Sequence, residues 1–369
     1  MFDVHPSARD NFNSKVTLLV DRIVKAPQAD AQNPRFKSEV HVAATIKGSD
    51  IIGEPKEAVV DYRGKTIGRF FLNEGERYGI TDESYNELAK LAESIQKLPS
   101  FRKRLSNEFV EERIFTWLKA KFIGSAESDE FMSFLVSEAS KVVKPITVIV
   151  PIAKTIVEVP FEFCGATIRN LTKATVDEMA SMGESLPDEE NKKNAINFVE
   201  EFRKEYQGYA VVETNLTCEP NFANDLALGF ASRVTDLLGI YSGAALMPDV
   251  KCVSKIKGAE NIAQYTTISR AQDEGFNIHK GILDHSTARH WFISKSDFDE
   301  YSRCGLGAIS ALEIQEKRTE FESTVLNMAF LYSKAAFTSD PMEKLVHMLS
   351  ALESTLLRNE SEPIQQNLA

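Results

Sequence analysis

The densest group of chemistry-bearing side chains is His279, His285 and His290, in the run His279-Lys280-Gly281-Ile282-Leu283-Asp284-His285-Ser286-Thr287-Ala288-Arg289-His290. Neutral imidazoles are ready metal ligands. Three of them with Asp284, and with Cys304 a little further on, could hold zinc for a metal-dependent hydrolase. The spacing is neither that of HExxH nor that of a zinc finger, and no glutamate follows a histidine. A polar loop with partly exposed histidines is the plainer reading, so no metal ligand is assigned.

Arg289-His290-Trp291-Phe292 sets a cation and an imidazole beside two aromatics, a group able to stack a base or hold a phosphate. An aromatic pair beside a loop more commonly anchors a core, with Trp291 or Phe292 turned inward. Arg102-Lys103-Arg104 could touch a phosphate, but with Glu111, Glu112 and Arg113 nearby it reads as the solvated face of a helix. Neither GxxxxGK[ST] nor GxGxxG occurs, and no GxSxG elbow is present. Gly305-Leu306-Gly307-Ala308 reads as a flexible lead into the terminal helices. No catalytic or cofactor-binding residue is assigned, and no cofactor is expected.

These groups sit in a chain of 369 residues, room for about two domains. Its 43% hydrophobic and 26% charged residues are those of an ordinary globular protein. A net charge of -11 argues against a globally basic nucleic-acid binder, though not against a local basic groove. Four scattered cysteines form no CxxC pair, and the N-terminus lacks the basic and apolar regions of a secretory signal. Apolar runs such as 146–153 are too short to span a bilayer. A cytoplasmic protein without a membrane partner is expected.

The expected fold class is α+β. Strand-like runs at 16–20, 40–46, 58–62 and 67–72 make a β-rich start, and Arg63-Gly64-Lys65 supplies a turn. Between Asp82 and Val143 the apolar period changes to that of helices, with Leu88, Leu91, Ala92, Ile95 and Leu98 on one face. After Pro145 strands return at 146–150, 155–159 and 166–171. Residues 183–193 read as a polar loop. Tyr209 to Thr217 alternates like a strand and leads into a helix ending at Gly239. Extended segments follow to about Ile293. From Glu313 to Arg358 two amphipathic helices are broken by Thr338-Ser339-Asp340-Pro341, the second with Leu345, Leu349, Leu352 and Leu356 in a stripe. Cuts near 145 and 305 give three parts: 1–145 (N-terminal α+β), 146–305 (second α+β) and 306–369 (helical).

The last of these parts resembles the Apea-like branch of the HEPN superfamily. Asp340-Pro341-Met342-Glu343-Lys344-Leu345, the Ala351-Leu352-Glu353 triplet within Ser350 to Leu357, and the acidic run Asn359 to Pro363 leading to Ala369 carry the likeness. Upstream, a strand feeding the helix to Leu238, then Gly239-Ile240-Tyr241-Ser242, is similar to the region that often precedes such a domain. The resemblance implies a helical bundle that commonly dimerises and, in active members, cleaves RNA in toxin or antiviral defence roles. The cleaving Arg and His lie on a helix beyond the segment matched here, so no catalytic residue is carried over. Arg35 and His41, with five residues between them, match the family's Arg/His spacing, but they follow Asn33-Pro34 on an alternating, strand-like stretch, and a chance match explains them. The chain as it stands is expected not to be a competent ribonuclease unless the missing helices are supplied. The expectation is a sensor or scaffold joined to a partial HEPN-like bundle, meeting RNA only through a complete domain. The alternative is a non-catalytic module that self-associates, or docks a protein partner, through its C-terminal helices. A further expectation is that the terminal hairpin opens before the rest of the molecule.

Overall fold

The computed structural model describes residues 2–25, 58–60, 66–126, 128–259, 264–270, 276–282 and 290–356. The fold is α+β. Its residues gather into two compact units, one of 1–146 with 217–223, the other of 147–216 with 224–369.

In the first unit β1 (Val24–Lys25), β2 (Ala58–Val60), β3 (Thr66–Asn73) and β4 (Glu76–Thr81) form an antiparallel sheet in the order β1-β4-β3-β2. The β3–β4 turn places Glu74 and Gly75 at φ 52° and 80°, both left-handed, which matches the twist of a two-residue hairpin. Four helices accompany it: α1 (Pro6–Val20), α2 (Asp82–Gln96), α3 (Asn107–Phe122) and α4 (Phe131–Val142). The helical stretch expected after Asp82 is therefore present. Leu88, Ala92 and Ile95 of α2 join Ile114, Trp117 and Leu135 in one buried cluster.

Two corrections fall in this unit. Residues 16–20, expected as a strand, finish α1: Val16 and Leu19 are buried three apart while Leu18 points to solvent. Alternation would have put 16, 18 and 20 on one side, so the helical period prevails. Arg102-Lys103-Arg104 lies in turns between α2 and α3 rather than on a helix, and the Arg104 guanidinium sits 5.6 Å from the Phe2 ring centre. The expected strand at 40–46 and the turn at 63–65 lie outside the described residues.

The second unit holds most of β5 (Lys144–Pro151), β6 (Thr155–Val157), β7 (Phe161–Phe163), β8 (Ala166–Asn170), α5 (Lys173–Glu184), α6 (Glu189–Tyr206), most of β9 (Ala210–Cys218) and all but the first turn of α7 (Pro220–Gly239). Then come β10 (Gln264–Arg270), β11 (Phe276–Ile282), β12 (Trp291–Ile293), α8 (Lys295–Arg303), α9 (Leu306–Ile314), α10 (Glu320–Ala336) and α11 (Pro341–Leu356). Its main sheet runs β5-β9-β8-β7, and β12 pairs parallel to β6. Successive residues of a strand face opposite sides. Accordingly Ala210 and Val212 of β9 enter a core with Ala231, Val234 and Leu238 of α7, while Val211 joins Val176 of α5 and Val199 of α6.

The polar stretch 183–193, expected as a loop, is mostly helix. Asp188 caps α6 by accepting from Asn191 N, and Ile196, Val199, Phe202 and Tyr206 carry the helical spacing behind that polar first turn. Gly305-Leu306-Gly307-Ala308 opens α9 rather than forming a flexible lead. The described helices of 306–369 pack into the second unit: Leu306, Leu326 and Ala329 share the core of α7 and the sheet.

Candidate functional site

The terminal hairpin has strong local instructions. Thr319 and Glu322 make a reciprocal capping box at the start of α10. At the start of α11, Asp340 Oδ1 accepts from Met342 N at 2.8 Å and Glu343 N at 3.0 Å, and Pro341 occupies the first helical position, where its missing N–H costs nothing. α10 is gripped on its inner side by Leu326, Ala329, Ser333, Ala335 and Ala336. Gly239, at the end of α7, lets the Phe337 ring approach so closely that an added Cβ would lie 2.5 Å from it.

α11 is divided between two faces. Inward, Ala351 is buried and Met348 half-buried, and between the helix and the 244–250 loop sits Lys344, 2% exposed. Its ammonium donates to the carbonyls of Ala244 (2.7 Å), Met247 (2.5 Å) and Val250 (2.5 Å). Three donors meet three acceptors, which satisfies the cation without a carboxylate in contact. Burial pushes the Lys344 pKa down, and the charge of Asp249 partly opposes this.

Outward, Met342 (68%), Leu345 (45%), Val346 (56%), Leu349 (46%) and Leu352 (51%) are exposed. They repeat at helical spacing and form a continuous apolar strip. Three of the four stripe leucines expected from sequence are thus exposed together, and the side chain of Leu356 lies outside the described residues.

The other sequence candidates disperse. His279 lies on β11 opposite Thr267, its side chain outside the described residues, as are Asp284, His285 and Arg289. His290 is exposed, stacks on the Tyr209 ring at 5.5 Å and shares a 2.9 Å hydrogen bond with its hydroxyl through Nε2. Among the described residues no group of three His, Cys, Asp or Glu side chains could hold a metal. Trp291 packs against the core of the second unit, whereas Phe292 is exposed. Arg35 and His41 lie outside the described residues. Of the four cysteines, Cys164, Cys218 and Cys252 are buried and only Cys304 is exposed. Burial raises the Cys164 thiol pKa to about 12, so it stays protonated.

Lys344 was missed as a site residue in the sequence. Its position on one helical line with Met348 and Ala351 was the available signal, since that line lies roughly a quarter-turn around the helix from the leucine stripe. Compared with family models, curated proteins and solved structures, the chain matches none. No helix among the described residues is long and apolar enough to cross a membrane.

Proposed function

We propose that this chain is the sensor and scaffold portion of an Apea-like HEPN protein, with α10 and α11 the opening helices of the bundle. In this reading the outer strip of α11 is an interface for a second copy of the chain. The observation carrying it is the run of exposed side chains from Met342 to Leu352, since contiguous exposed apolar surface ordinarily marks an interaction site. A helix capped at its start and clamped through Lys344 presents such a strip preformed, and a preformed surface lowers the entropic cost of binding.

The magnitude fits a weak, reversible dimer. Burying the exposed part of these five side chains recovers on the order of 5 kcal/mol per copy. Two copies together recover about 10 kcal/mol and association costs ~4–15 kcal/mol, so the strip alone leaves at most about 6 kcal/mol, a dissociation constant of roughly tens of micromolar at its tightest. No RNA-cleaving pair is assigned to this chain, so its role is to present and pair the helical part rather than to cut.

Sedimentation equilibrium tests the pairing. The wild-type chain should dimerise, and Val346→Glu with Leu349→Glu should be a monomer with unchanged circular dichroism. A wild-type chain still monomeric at about 100 μM sinks the interface. Metal-independent cleavage of total RNA by the purified chain would contradict the non-catalytic role.

A further inference from the structure

Beneath α11 the second unit contains a cavity of 430 Å³. α10 contributes Met328, Ala329 and Tyr332, and α11 contributes Met348, Ala351 and Leu352. The far wall is Ile240 and Tyr241, in the short 3-10 turn that follows α7, with Ile309 of α9 beside them. Leu246 and Cys304 complete the lining, and both are exposed. The lining contains no Asp, Glu, Lys, Arg or His side chain. The polar groups among its side chains are the two phenols and one thiol, and burial lifts the Tyr241 hydroxyl to about 12.

Two features keep this space from closing. Lys344 fixes α11 against the 244–250 loop through three carbonyls, so the helix cannot settle inward without breaking them. Tyr241 is braced from behind by Tyr301, with ring centres 5.3 Å apart. An unfilled apolar cavity forfeits dispersion contacts and is a poor home for water, which needs polar partners. The volume falls in the range of small-molecule sites, which are mostly apolar with a few polar groups to orient the ligand. Methionines at two positions add an adaptable wall.

We propose that this cavity binds an uncharged, mainly apolar small molecule of roughly ten to eighteen non-hydrogen atoms, with a single hydroxyl, carbonyl or N–H group directed to Tyr241 or Tyr332. A carboxylate or ammonium would enter without a counter-charge from the lining and is selected against. The site shares only Leu352 with the outer strip of α11 and does not depend on self-association.

The test uses the full chain with the neutral fluorescent dye phenylnaphthylamine, displaced by decanol or by decanoate. Saturable enhancement at one dye per chain is expected, with decanol displacing the dye at least tenfold more effectively than decanoate. Met328→Trp, which fills the space, should weaken dye binding at least tenfold, whereas Leu345→Glu on the outer strip should leave it unchanged. Reaction of Cys304 with a disulfide reagent provides a second readout in the wild-type chain, because the other three thiols are buried. Saturating decanol should slow it at least threefold, a result that stands even if Met328→Trp fails to fold. Absent dye binding, binding lost in Leu345→Glu but kept in Met328→Trp, or an unprotected Cys304 would each overturn the proposal. Dye affinity that falls as protein concentration rises would assign the cavity to a second copy and overturn it as well.

Discussion

Replacing Lys344 by methionine keeps much of the side chain's shape and removes the one cation that fastens α11 to the 244–250 loop. Three hydrogen bonds disappear, at 2.7, 2.5 and 2.5 Å. Each bond from a charged donor contributes about 1.5–3 kcal/mol. Two effects reduce the sum. Burying an ammonium is itself costly, as the lowered pKa shows, and methionine does not incur that cost. In addition, the carbonyls of Ala244 and Met247 keep backbone partners, Met247 N and Val250 N, each at 3.3 Å. A net loss of about 3 kcal/mol remains, equivalent to about a hundredfold in the opening equilibrium of α11. Hydrogen exchange reads this directly. In the wild type, amides of residues 345–356 should already exchange faster than those of 226–238, because α11 buries chiefly Lys344 and Ala351 while α7 is buried along its length. In Lys344→Met they should accelerate about a hundredfold, with α7 little changed. Acceleration below about threefold would show that apolar contacts alone hold α11 and that the lysine clamp is incidental. Stronger protection in α11 than in α7 would refute the premise that the hairpin is the first part to open.

Gly239→Ala should destabilise the second unit by about 1–3 kcal/mol in urea melts, because its Cβ would lie 2.5 Å from the Phe337 ring. Gly229→Ala, in the same helix with nothing near its Cβ, should be neutral or slightly stabilising; equal losses in both would remove steric contact as the cause. Glu219→Gln should stabilise the first unit at pH 7. Burial raises the Glu219 pKa despite a hydrogen bond from Ser106, so the folded state holds this proton more tightly than the unfolded chain. Its contribution is complete below the ordinary carboxylate range and is lost as pH climbs through the raised value. The gap between variant and wild type should therefore close near pH 4, and a Gln variant less stable than wild type at pH 7 would show that the charge itself is needed.

Periodicity made the large elements legible. The apolar repeats of α2, α3, α4, α7 and the terminal hairpin are regular, and β9 announces itself by alternation. Short segments were harder to read. The run Val16 to Val20 has strand-forming residue types, yet its fate was decided by which side chains meet the core, a tertiary fact. α6 was hidden by its polar opening turns, where a capping Asp188 and acidic residues suit a helix start as well as a loop. The leucine stripe could be read as a surface from sequence because helical spacing fixes a face. The lysine clamp and the cavity could not, since the carbonyls of residues 244–250 and the ring of Tyr241 reach them from about one hundred residues earlier, and spacing within α11 is silent about such partners.

The short segment 217–223 belongs to the first unit although the chain has by then built a sheet of the second. Glu219 donates its N–H to the Arg104 carbonyl at 2.9 Å, and its carboxylate accepts from the Ser106 hydroxyl that also caps α3. During synthesis, therefore, the N-terminal body remains unfastened at the head of α3 until residue 219 has been made, after β5 through β9. Maturation of the two bodies must overlap in time rather than proceed one after the other, as independent domains ordinarily do. A nascent chain stalled between residues 146 and 219 should carry an α3 held at its start by the Ser106 cap alone, and a fragment ending at residue 146 lacks the Glu219 contacts permanently.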